Sequence, residues 1–477
     1  MNHRNKKAVQ IIALVLVILL VGGTIVGALF AALAEENPPA RDQYELNVEY
    51  LEDEQALRIG QRLVYINDSQ DRLDRVVFYA APNMFRRESA LMYESDDLDA
   101  VFPTGYAPGG IDLRAVRVNG AAADYGFQGE EELCLRVACD LGPGEAATFD
   151  FDYYLLVTAC NAFIGAGETD VRLGAFYFIP GVYDPTYREF IMKKPLPFTR
   201  WLYAGAGDYK VDVTLPEGWL AAQSAAENVH EVALSFSRRW RATERRTASG
   251  TPVRVYSARR DAGRAAEATV RAVEQCEAWF GPFPFPELVV AQSDYPLGAL
   301  CYPGLIQLKD ITDAMALRFC VAQQYFGHAA YVDPSADAWL SDSVSGYLAY
   351  LMLEDAEGHE AFLKAVNRDW VSALQLTVPG GLNVTSDAAL FNGKHYDIVV
   401  RIRGAVVLHE LREAMGLDEL RAGLRAFYEL GRDGHTLTEG DFVNCMDAAT
   451  GKSWRDFLTD WVFNVGDYVN QPIDWLN

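Results

Sequence analysis

The 477-residue chain reads as a multidomain α+β protein, an N-terminal β part followed by a mostly helical α/β part. Three observations predict this. Short alternating segments fill the first half, a change of texture follows residue 256, and periodic helical segments dominate after Asp310. A charged tip and a long apolar run precede both parts.

Taken in order, Arg4, Lys6 and Lys7 lead into an uncharged, mostly apolar run from Ala8 to Ala34, and Glu35 and Glu36 follow. The run is long enough to cross a bilayer, and basic residues before it place the N-terminus in the cytoplasm and the rest outside. Ala32-Leu33-Ala34 also fits a signal-peptide cleavage site, but the run exceeds a normal signal core and so favours an uncleaved anchor. The expectation is a single-pass membrane protein with residues 1–34 as tip and anchor, 35–43 as linker, and the bulk extracytoplasmic.

From Tyr44 to about Tyr256 the chain alternates polar and apolar residues, as in Tyr44–Tyr50, Arg62–Ile66 and Tyr209–Leu215. Turn clusters punctuate it at Asn67-Asp68, Pro108–Gly110 and Gly142–Gly144. The pattern predicts an antiparallel β-sandwich or saddle domain over 44–256. Asp261 then caps a predicted helix ending at Phe280, with Val270, Val273 and Cys276 on one face. Leu288–Ala291 and Leu305–Leu308 read as strands, and the second domain covers 257–477.

Half the residues are apolar and 12% aromatic, which excludes a largely disordered chain. A net charge of −24 disfavours nucleic acid and anionic lipid surfaces as partners. Seven cysteines are too few for a disulfide-built scaffold; Cys134 and Cys139 lie in a β-like stretch, and Cys160, Cys276 and Cys445 read as core thiols.

The chemistry centres on Phe319–Gly327, F-C-V-A-Q-Q-Y-F-G, and on W-L-S-D-S-V-S-G-Y around Asp342. These segments resemble the zinc-binding frame H-E-x-x-H-Q-W-F-G … W-L-x-E-x-x-A-x-Y of the aminopeptidase N family, the gluzincins related to leukotriene hydrolase. The frame's second histidine and late glutamate align with Gln323 and Asp342. Further segments agree in order. Gly298–Gly304 (G-A-L-C-Y-P-G) is similar to the family's substrate-binding strand, with Cys301 where relatives carry the glutamate that holds the substrate amine. Arg401-Ile-Arg-Gly404 matches Tyr-x-K-G, so Arg401 replaces the oxyanion-stabilising tyrosine. Leu57–Phe85 resembles the family's N-terminal β domain, and Trp454–Val465 its late helices.

The resemblance implies a thermolysin-like second domain and a zinc cofactor. In such a site two histidines one helical turn apart and a carboxylate from a second helix hold the metal, and a glutamate acts as base on its water. Here the ligand positions are Phe319, Gln323 and Asp342, and the base position is Cys320. Phenylalanine cannot ligate and an amide ligates poorly, so no catalytic zinc, cofactor or hydrolysis is expected. The implied protein is a membrane-anchored pseudo-peptidase with a binding or scaffolding role, toward a peptide or membrane-protein partner that the sequence leaves unidentified. The alternative is a divergent active metallopeptidase or a thiol-based enzyme in the same cleft.

If the family fold holds, Cys301 and Cys320 both face the former cleft, where a disulfide, a thiol nucleophile or a soft-metal site with Asp342 are the options. His409-Glu-Leu-Arg-Glu413 imitates half of a zinc motif but lacks its second histidine. His328 and His395 read as structural or exposed, and Phe319 and Tyr325 as core-filling.

Overall fold

The computed structural model describes residues 41–468 apart from 89–92, 94, 375, 379 and 433. The Ala8–Ala34 run lies outside the described residues. No helix among them is long and apolar enough to cross a membrane.

The alternation around Tyr44 becomes strand Asp42–Leu51, whose Tyr44, Leu46, Val48 and Tyr50 are buried. It lies inside a six-stranded sheet. Ala56–Ile66, Ala146–Leu156 and Gly110–Val118 extend the sheet antiparallel on one side, and Gly207–Thr214 pairs with it in parallel on the other. A second sheet, with Leu73–Tyr79 and Cys134–Leu141 at its centre, packs against the first: Phe78 meets the Phe149 and Phe151 rings edge-on at 5.3 and 5.1 Å. A third sheet contributes Phe236, 4.8 Å from Tyr50. The N-terminal β part anticipated from alternation is present.

Strands Arg241–Arg246 and Pro252–Ser257, read from sequence with the β half, continue into a different sheet. Pro252–Ser257 pairs in parallel with Leu288–Gln292, and that strand in parallel with Leu305–Leu308. Ala299–Tyr302 closes this mixed five-stranded sheet as an edge strand, hydrogen-bonded only to Leu305–Leu308. Helix Ala262–Phe280 forms as expected and ends at Gly281, whose φ of +100° suits glycine. Asp261 occupies the start but does not cap it, because its carboxylate pairs with Arg259 instead.

The helical half places two helices beside that sheet. Ala314–Gln323 is capped by Asp313, which accepts hydrogen bonds from the Met315 and Ala316 amides at 3.0 Å, an arrangement worth about 1 kcal/mol. It runs on into a π-helical stretch, Gln324–Ala329. Helix Ala338–Glu357 is buried from Ala338 to Ser345 and again at Tyr347–Ala349 and Leu351–Leu353, with its last turn, Asp355–Glu357, exposed. A second π-helical stretch, Asp397–Arg403, leads into helix Gly404–Met415. One apolar core runs through both halves, from Tyr44 to Val462.

Candidate functional site

A cleft of about 650 Å³, including the space at its open mouth, lies between the β part and the helices. Five of the six positions singled out from sequence line it: Cys301, Phe319, Gln323, Asp342 and Arg401. The sixth, Cys320, is fully buried immediately behind Cys301, their sulfurs 2.7 Å apart. The chain therefore brings together an edge strand (Cys301), a helix (Phe319, Cys320, Gln323), a second helix (Asp342) and a π-helical turn (Arg401). π-helical insertions are uncommon and concentrate at functional sites; here one of them, Asp397–Arg403, brings Arg401 to the cleft, and the other, Gln324–Ala329, directly follows the cleft residue Gln323.

The geometry is that of a closed polar network. Gln323 donates from Nε2 to Asp342 Oδ1 at 2.9 Å, and Ser341 donates to Gln323 Oε1 at 3.2 Å. The other Asp342 oxygen accepts from the Tyr396 hydroxyl at 3.0 Å and from Arg401 Nε at 3.3 Å, with Thr199 Oγ1 at 3.2 Å. Arg401 is occupied on every side. It donates to Asp397 at 2.8 Å and to the Phe198 carbonyl at 3.2 Å, and its guanidinium lies 5.1 Å from the Phe319 ring centre and 5.5 Å from that of Tyr396. Burial, reinforced by the Asp342 carboxylate, pushes the Tyr396 phenol well above its ordinary range, so it remains a donor.

Several sequence expectations change. Phe319 is half-buried and serves as a platform for Arg401 rather than simply filling core. Tyr325 is buried as expected, its hydroxyl reaching the Gly281 carbonyl at 3.2 Å. Cys320 does not project into the cleft, and burial pushes its thiol well above the ordinary range, with Cys301 adding to the effect. A thiol held so firmly protonated is a poor nucleophile. His409 packs among Tyr347, Phe362 and Trp370, and burial lowers it to about 4, as befits a neutral core histidine. His328 is buried with Nε2 unpartnered, and burial together with the charge of Arg200 keeps it neutral; His395 is half-buried.

Sequence reasoning missed Thr199, Arg200, Glu231 and Tyr396. Thr199 and Arg200 sit in an irregular segment of the β half and reach across to Asp342 and Ser341, a long-range approach that no motif encodes. Arg200 also donates to the Gly327 carbonyl. Gly327 itself answers to this crowding, because a Cβ there would overlap Gln323 Oε1. Tyr396 precedes Arg401 by just over one helical turn, a spacing that could have flagged it.

Glu231 lines the cleft and has no hydrogen bond or ion pair among the described residues. Burial raises its carboxyl to about 7, against the lowering influence of Arg200. An acid raised in the fold keeps its proton to higher pH than in the unfolded chain. Its contribution to stability is therefore full below about pH 4.5 and falls as the pH rises to about 7, by up to about 3 kcal/mol. Glu231→Gln is expected to be stabilising by about 1–3 kcal/mol at pH 8 and close to neutral at pH 5, measured by urea unfolding. A stability difference that ignores pH would show that the carboxyl is well solvated.

The solved M1 zinc metallopeptidase from Deinococcus radiodurans superposes with a TM-score of 0.59 over 90% of this chain and 96% of that one, at 16% identity. A two-domain M1 zinc metallopeptidase bound to L-tryptophan gives 0.58, covering 90% and 97% at 16% identity. The fold is that of the M1 zinc metallopeptidases. In sequence the chain is aminopeptidase N-like. It is 23% identical to aminopeptidase N of Lactococcus lactis subsp. lactis over 256 residues, 46% of this chain and 29% of that protein. To a probable aminopeptidase 1 of Saccharolobus solfataricus it is 22% identical over 195 residues, 38% and 24% respectively. The matched region thus spans less than a third of the length of these relatives. No family model matches the chain.

The zinc that this fold family implies does not fit the residues present. Phe319 offers no donor atom, the Gln323 amide is turned onto Asp342, and the Asp342 carboxylate faces a guanidinium. Among the described residues no group of three or more His, Cys, Asp or Glu side chains is arranged to hold a metal ion.

Proposed function

We propose that this chain is a non-hydrolytic, aminopeptidase N-like binding protein, anchored by its N-terminal apolar segment with the bulk of the chain extracytoplasmic. Its cleft would hold a peptide or a segment of a membrane-protein partner without cutting it. The observation that carries this reading is the hydrogen bond from Gln323 to Asp342 with Arg401 on the far side of the carboxylate. Two positions that would hold a cation in this fold instead satisfy one another, and a fixed positive charge stands beside them. Hydrolysis of an amide at neutral pH needs an activated water and stabilisation of the developing oxyanion. Neither a metal ligand set nor a histidine base faces the cleft from the singled-out positions.

What the cleft retains suits binding. Phe163, Leu196, Trp201 and Phe319 provide apolar walls, and Glu231 offers a carboxyl group without a partner. A ligand with an apolar side chain and a protonated amine would match both.

The test is metal analysis of the purified chain together with an aminoacyl-arylamide hydrolysis assay. The expected result is substoichiometric zinc and no turnover above background. Stoichiometric zinc with chelator-sensitive turnover would establish a divergent metallopeptidase instead. Turnover resistant to chelators but lost on thiol alkylation would establish a thiol enzyme.

A further inference from the structure

We propose that Cys301 and Cys320 form a disulfide that staples the edge strand Ala299–Tyr302 to helix Ala314–Gln323 beneath the cleft. Their sulfurs stand 2.7 Å apart, so bonding needs a further approach of about 0.7 Å. One partner can supply that movement. Ala299–Tyr302 is an edge strand held by hydrogen bonds on one side only, whereas the helix is capped by Asp313 and packed into the core. The remaining cysteines are placed differently: Cys134 and Cys139 share one strand, and Cys160 turns its sulfur toward the Ile164 carbonyl at 3.4 Å.

Access dictates the order of events. Cys301 lines the cleft, and Cys320 lies behind it with its thiol held protonated by burial. The oxidant is a small-molecule disulfide entering through the cleft mouth. The Cys301 thiolate attacks one of its sulfurs, forming a mixed disulfide and releasing one thiolate, which is protonated by solvent. Cys320 is a poor nucleophile toward a free molecule but already stands against Cys301 Sγ; it attacks that sulfur as the second small thiolate departs and takes up the Cys320 proton. Two protein thiols are oxidised by two electrons, and one small disulfide is reduced to two thiols. The pair closes a loop of about twenty residues, a length at which cross-linking stabilises appreciably.

The inference does not depend on whether the cleft binds peptide, since it rests on the sulfur geometry alone. It is tested on the full chain equilibrated with oxidised or reduced glutathione, then unfolded, alkylated and digested without reductant. The expected result is five alkylated thiols after oxidation and seven after reduction, with one peptide pair joining Cys301 to Cys320. The oxidised protein should melt about 3 °C above the reduced one, and Cys320→Ser should abolish that difference. Cys301→Ser, altered on the cleft side, serves the same purpose should the buried replacement fail to fold. Seven alkylated thiols after oxidation, or a linkage joining other cysteines, would overturn the proposal; the thiol count needs no variant.

Discussion

Replacing Arg401 with leucine is expected to lower the unfolding free energy by about 3–5 kcal/mol, a fall of about 3–5 °C in melting temperature for a chain of this length. Asp342 is only 5% exposed, and Arg401 is its sole cationic partner among the described ion pairs. Without the guanidinium a buried carboxylate would remain beside Asp397, which loses its own cation at the same time. Neutral donors from Gln323 and Tyr396 would persist, so the fold should survive at reduced stability. Adding Asp342→Asn should recover at least about 1 kcal/mol, because the amide no longer carries an unpaired charge. Urea unfolding of the two single variants and the double variant closes the cycle. A cost below about 1 kcal/mol for Arg401→Leu would mean that water already screens the pair.

The second large effect is a gain of metal binding. A variant combining Phe319→His, Cys320→Glu, Gln323→His and Asp342→Glu carries the residue types of a zinc site but keeps Arg401. Its guanidinium would stand beside the new carboxylate and oppose a divalent cation by several kcal/mol. That variant is expected to bind zinc at least a hundredfold more weakly than one that also carries Arg401→Tyr. Competition against a chromophoric chelator measures both affinities. Equal affinities would show that Arg401 swings clear of the site. Failure of both to bind would show that the two helices no longer hold ligand spacing.

Arg401 also illustrates what the sequence could convey. Its position was legible through the glycine three residues later and the order of segments, and so were Gln323 and Asp342. Period and spacing are local properties, and they carried the strands and the helices; the convergence of Cys301, Phe319, Gln323 and Arg401 on one cleft followed from the resemblance to the aminopeptidase N family. The contents of the network were not legible. Thr199 and Arg200 reach Asp342 and Ser341 from more than 140 positions away in the chain, and only the packed fold brings them there. Sequence alone assigned Phe319 to core, because an aromatic ring supporting a guanidinium looks the same in a helical pattern as one filling a void. Asp261 failed as a cap for a related reason, since Arg259 two residues earlier competes for the same carboxylate. Neither π-helical stretch was foreseeable from an apolar period of 3.6, though one of them carries Arg401 to the cleft.

The parallel pairing of Asp42–Leu51 with Gly207–Thr214 also has a consequence for how the chain is made. Asp42 aligns with Gly207, 165 positions later. A ribosome adding about 5–20 residues each second needs roughly 8–30 s to deliver the second strand after the first. Throughout that interval one flank of the nascent sheet offers unpaired amides and carbonyls to any passing strand. Slowed elongation between the two segments should therefore reduce the yield of soluble chain, and a chaperone that shields strand edges should restore it.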